Sequence, residues 1–200
     1  GMQSFLGAIN YYHRFVQDFA VYAAILYQVQ DEDFTSGKEM SKEKKSFELL
    51  RQRVADAPIL RHMKADQEVH ILLFSNDWAI SATIMQMHEG KLHPVRFCGR
   101  VLKPAEANYL AAEREVLALL RALRVCYTQL AGKKLIVHSQ HSTLKWIFTS
   151  KKLFGRTEQF AALLSPWDLE VRRDKSGDCG IQHLLHASIS KRGDLEAVLE

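Results

Sequence analysis

Apolar and polar positions alternate with one period before residue 68 and another after it. Phe5, Leu6, Ile9, Tyr12, Phe15 and Val16, then Phe19, Ala23, Ala24 and Leu26, recur at helical spacing and predict a helix or helix pair with an aromatic-rich packing face. Residues 31–37 are polar and end in Gly37, which predicts a loop. Ser41 reads as an N-cap, Phe47, Leu50 and Val54 follow at i, i+3 and i+7, and Pro58 stops the run. From Glu68 onward Val69 to Phe74, Trp78 to Met87 and Leu92 to Val101 read as three strands, with His88, Glu89 and Gly90 turning between the last two. Short connections make this an antiparallel meander.

The helical period then returns from Asn108 to Gly132. Val116, Leu119, Leu120, Leu123, Tyr127 and Leu130 form one apolar stripe, and Glu115 lies at its rim. A carboxylate pointing into the protein body needs a metal or a hydrogen-bond donor. Glu115 is therefore the leading candidate for a site residue, and a surface glutamate flanking the stripe stands beside it as an equal reading. Leu135 to His138 reads as a fourth strand, Leu144 to Phe148 and 156–164 as helices, Trp167 to Val171 as a fifth strand, and Ile181 to Ile189 as a closing helix. The order predicts an α/β domain with a mixed sheet.

Composition narrows the class. Of 200 residues, 47% are hydrophobic and 25% charged, which suits a globular chain with one well-buried domain and a smaller appendage. No run approaches the roughly 20 apolar residues of a membrane span, and no secretory pattern opens the chain, so an intracellular setting, cytoplasmic or nuclear, is expected. Gly1 ahead of Met2 looks like a cloning remnant, and a start inside a helical stretch suggests a piece of a longer protein. Cys98, Cys126 and Cys179 are odd in number and far apart, which predicts reduced, mostly buried thiols. From Lys133 to Lys175 nine basic residues face four acidic ones, a local charge of +5 within a chain of net +4. Such a stripe is an electrostatic footprint for nucleic acid, and equally a solvated surface with both signs interspersed.

Several motifs carry a resemblance. Phe5-Leu6-Gly7-Ala8-Ile9-Asn10-Tyr11-Tyr12-His13-Arg14-Phe15 resembles the segment after the polymerase palm in Ty3/gypsy-type and retroviral reverse transcriptases, and Ala57-Pro58-Ile59-Leu60 resembles the end of the family's next helix. Asn76 to Ala82, Leu102 to Tyr109, Glu113 to Ala118 and His141 to Trp146 fall in order on the family's ribonuclease H domain. The resemblance spans residues 3–190 and implies a ribonuclease H-like fold, a mixed five-stranded sheet flanked by helices and preceded by a small helical module. It divides the chain into a reverse-transcriptase-like helical segment at 1–62, a ribonuclease H-like domain at 66–190 and a tail at 191–200.

The family's chemistry, as the resemblance implies it, uses four carboxylates to hold two Mg²⁺ ions about 4 Å apart. Carried over position by position, those acids fall on Phe74, Glu115, Gln140 and His183, and only Glu115 remains acidic. Phenylalanine offers no lone pair, glutamine is a neutral substitute, and histidine suits softer metals than Mg²⁺. The expectation is a degenerate site with no metal cofactor, in which Gln140 and His183 donate hydrogen bonds to Glu115. Asp77 and Asp178 are the nearest acids for a rearranged, active site, the alternative reading. Lys145, Lys151, Lys152 and Arg156 are possible contacts for an RNA/DNA hybrid or other nucleic acid, bound weakly. A scaffold or tether role, beside other domains of a polyprotein or in a host-captured copy, completes the expectation.

Overall fold

A computed structural model of the chain describes residues 2–16, 19–34, 39–57, 60–139, 144, 147 and 155–173. Its centre is a five-stranded sheet built from β1 (Val69–Ser75), β2 (Ala79–His88), β3 (Lys91–Val101), β4 (Lys134–Ser139) and β5 (Asp168–Arg173). The strand order is β3-β2-β1-β4-β5. β1 and β3 run antiparallel to β2, whereas β4 runs parallel to both β1 and β5, so the sheet is mixed as the pattern predicts. The β2–β3 hairpin turns through Glu89 (φ 52°) and Gly90 (φ 77°), two successive left-handed residues whose twist suits flanking strands.

Strand alternation sorts β1 between two layers. Val69, Ile71 and Leu73 join Leu135 and Val137 of β4 in a core that packs against α5 (Ala111–Val125). Val116, Leu119 and Leu123 supply the helix side of that core, and burial of each contributes about 1.5–3 kcal/mol. On the other face lie α1 (Met2–Asn10), α2 (Phe19–Leu26) and α3 (Ser41–Ala55). α2 is apolar around its whole circumference, because it packs on β2 and β3 on one side and on α3 on the other. Its approach is close at Gly99, where an added Cβ would stand 3.0 Å from the Ile80 carbonyl oxygen and 3.7 Å from Ala20 Cβ.

The long helix differs from its predicted span. A one-turn helix, α4 (Pro104–Ala107), precedes it, and the chain is extended at Leu110 before α5 begins. Leu110 N–H donates to Glu113 Oε2 at 3.0 Å, a cap that sets the start at Ala111. Cys126 (φ −110°, ψ 23°) leaves the helix and a short α6 (Tyr127–Leu130) follows. This break carries Tyr127 out of the predicted stripe, to 60% exposure, while Leu130 stays buried. Cys98 and Cys126 are buried free thiols with their sulfurs 3.5 Å apart, joining β3 to the end of α5. α7 (Arg156–Leu164) then leads into β5, and Leu144 and Ile147 are helical and buried. The predicted closing helix at 181–189 lies outside the described residues.

Candidate functional site at the ends of β1 and β4

Glu115 lies in the second turn of α5 and is 2% exposed. Facing it is Ser139, the last residue of β4, which shares the α5 side of the strand with Leu135 and Val137. The Ser139 hydroxyl donates to Glu115 Oε2 at 2.5 Å. A charge-assisted bond of this kind is a means of keeping a carboxylate inside a protein. Of the two readings left open for Glu115, the buried one is correct. The exposed-rim reading fails because Val116, Leu119 and the sheet close over the first turns of the helix.

Phe74 stands one residue before the end of β1. Its neighbours Leu73 and Ser75 belong to the α5 side, where Leu73 enters the core and the Ser75 hydroxyl donates to the Ala111 carbonyl at 3.3 Å. Phe74 itself packs with Trp78 against the cluster formed by α1, α2 and α3. The aromatic ring thus serves the contact between sheet and helices. After β1, the Asn76 side chain accepts hydrogen bonds from the amides of Trp78 and Ala79, closing a tight turn. Arg114 clasps that turn, donating to the Asn76 carbonyl at 2.7 Å and to Asp77 at 2.6 Å. Asp77, a nearest acid for a rearranged site, is committed to this exposed ion pair.

Arg156 is the one predicted nucleic-acid contact within the described residues. Its guanidinium donates to both carboxylate oxygens of Glu113, at 3.0 and 3.1 Å, and covers the Tyr109 ring at 3.7 Å from the centroid. It ties α7 to the first turn of α5. Gln140, His183, Lys145, Lys151, Lys152 and Asp178 lie outside the described residues. Among the described residues, no group of three or more His, Cys, Asp or Glu side chains converges on a metal-sized space. None of their helices is long and apolar enough to cross a membrane.

Ser139 escaped the sequence reading, although its signal was present. Once Leu135 and Val137 are assigned inward, the period of two places Ser139 on the same face as Glu115. A second polar pair was also missed. His70 Nδ1 and His138 Nε2 are 3.1 Å apart, on buried, stacked rings. Burial holds the His70 pKa below its ordinary value, and the nearby His138 and Arg172 charges add to the effect.

Comparisons with known proteins agree with this architecture. Residues 64–167 match the model of the RNase H-like domain found in reverse transcriptase. The retrovirus-related Pol polyprotein from transposon 297 of Drosophila melanogaster is 24% identical over 170 residues, covering 85% of this chain and 16% of that protein. The transposon Tf2-3 polyprotein of Schizosaccharomyces pombe is 24% identical over 124 residues, covering 62% of this chain and 9% of that protein. The chain thus spans a small part of the length of these relatives. Among solved structures, the foamy viral protease-reverse transcriptase dRH in complex with double-stranded DNA superposes with a TM-score of 0.68 at 19% identity, covering 89% of this chain and 32% of the other. The foamy viral protease-reverse transcriptase in complex with an RNA/DNA hybrid gives a TM-score of 0.66 at 19% identity, covering 88% and 25%. With the five-stranded mixed sheet and the family match over 64–167, this chain belongs to the family of RNase H-like domains found in reverse transcriptases.

Proposed function

We propose that this domain has lost two-metal hydrolysis and serves as a non-catalytic scaffold or tether within a longer polyprotein or host protein, with weak affinity for an RNA/DNA hybrid or other nucleic acid. The observation that carries this reading is Phe74. The position expected to carry a metal-bridging carboxylate holds a ring built into the apolar contact with α1, α2 and α3. The donor set does not suit Mg²⁺, a hard cation that requires anionic oxygens in near-octahedral array. Glu115 accepts a hydrogen bond from Ser139, Asp77 is held by Arg114, and the sequence places amide and imidazole at the two remaining positions, Gln140 and His183.

In this reading Glu115 is a structural carboxylate and the domain needs no metal cofactor. Two-metal catalysis tolerates displacements of only about 1 Å, so an acid arriving from a neighbouring backbone position does not restore it. The test combines isothermal titration with Mg²⁺ and Mn²⁺ and a cleavage assay on a labelled RNA/DNA hybrid. Neither metal binding nor cleavage is expected. Cleavage that is abolished by Glu115→Gln overturns the proposal and establishes an active ribonuclease with a rearranged site.

A further inference from the structure

A groove of about 320 Å³ runs between the C-terminal half of α5, α6 and α7, well separated in role from the carboxylate site. Leu117, Leu120, Arg121, Arg124, Tyr127 and Trp167 are among the residues that line it. The two rings meet edge to face with centroids 5.7 Å apart, and Tyr127 is 60% exposed. A third arginine of the groove, Arg100, is neutralised by bidentate hydrogen bonds to Glu106 at 2.6 and 2.8 Å. Arg121 and Arg124 form no ion pair among the described residues, and Arg121 Nε is buried there without a hydrogen-bond acceptor. Among the described residues, the groove therefore offers two cations without counter-ions beside an exposed aromatic ring.

We propose that this groove binds single-stranded nucleic acid. Arg121 and Arg124 are three residues apart, on the same face of α5 with about 5–6 Å between their Cβ atoms, within reach of successive phosphates of one strand. Tyr127 and Trp167 present ring surface on which bases stack regardless of sequence, the arrangement that single-strand binders combine with cationic tracks. The half-buried leucines exclude water beneath the bases without asking for a particular base edge. The charge matches an acidic peptide equally well, but the exposed Tyr127 ring and its partner Trp167 favour bases over aliphatic side chains.

The test is fluorescence anisotropy with a fluorescein-labelled oligothymidylate of about 12 nucleotides, a generic single-strand probe. The whole chain is used, at low and moderate salt. The unmodified chain should bind, and the Arg121→Ala/Arg124→Ala double variant should bind at least about tenfold more weakly. The double variant should also lower the slope of log affinity against log salt by about 1.4, or about 0.7 for each phosphate left without its arginine. Tyr127→Ala should weaken binding about tenfold with the salt slope unchanged, because stacking carries no counter-ion release. Arg51→Ala, an exposed cation on α3, should change little, and circular dichroism verifies that each variant folds. Absence of binding by the unmodified chain, or losses in the groove variants no larger than that of Arg51→Ala, overturns the proposal. So does groove-dependent capture of an acidic leucine-rich peptide with the oligonucleotide unaffected. The inference is independent of the nuclease reading, since hybrid cleavage reports on Glu115 and oligothymidylate binding on Arg121, Arg124 and Tyr127.

Discussion

Ser139 and Glu115 join the end of β4 to the second turn of α5 through a buried hydrogen bond, donated by the serine hydroxyl to Oε2. The bond helps to compensate a charge that has lost its water. Ser139→Ala deletes one donor and keeps the acid. A hydrogen bond to a charged group contributes about 1.5–3 kcal/mol, so a loss of that size is expected in the urea unfolding free energy. Glu115→Gln should soften the effect of Ser139→Ala in a double-mutant cycle, because the neutral amide needs less compensation. Additive losses would show that the serine stabilises the ionised carboxylate no more than it would a neutral amide.

Phe74 gives the complementary prediction. Phe74→Asp places a carboxylate beside Trp78 and the apolar faces of α1 to α3. The lost packing alone costs up to about 3–5 kcal/mol, with desolvation of the new charge added to it. A fall in Tm of roughly 10 °C or more is expected for a chain of this size. No gain of Mg²⁺-dependent hybrid cleavage should accompany it. An unchanged Tm would mean that the sheet and the helices do not depend on this ring.

These two sites show what can be read from residues alone. The period change at Glu68 and the stripe through Val116, Leu119 and Leu123 expose the sheet and its covering helix, because burial imposes periodicity on whichever side chains face inward. Glu115 stood out for a similar reason, as a charge inside an apolar pattern. The break at Cys126 was not legible, since no proline or glycine marks it and the fit of Cys126 against Cys98 is a tertiary fact. Nor could the sequence say that Phe74 faces the helices of the first 55 residues. That follows only when the two layers are assembled on opposite sides of β1.

His70 predicts a pH dependence. Its pKa is lowered in the fold, by burial first and then by His138 and Arg172, with Glu68 and Glu170 opposing weakly. The unfolded chain therefore takes up this proton first as pH falls below about 6.5. Because the unfolded state binds more protons in that window, stability is complete above it and declines as pH drops toward the folded value. Urea midpoints at about pH 7.5 and 5.5 should separate more widely for the unmodified chain than for His70→Leu, which removes the titrating group. Equal separations would exclude His70 as the source.

Cys98 and Cys126 supply a kinetic prediction. Contact with Cys126 and burial push the Cys98 thiol well above its ordinary pKa, and the same contact lowers that of Cys126, so burial rather than thiolate content protects the pair. Both residues are at most 2% exposed, so a thiol reagent reaches them only when β3 and the end of α5 separate. In a Cys179→Ser background, labelling by Ellman's reagent should be negligible on mixing. It should then follow the opening of the fold, with both thiols reacting together and accelerating in urea in step with loss of structure. Cys126→Ala should leave one thiol with the same protection, because the barrier is the packed layer between β3 and α5. A rapid burst from either cysteine in the native state would show that this layer opens locally, and would make the end of α5 the least stable part of the domain.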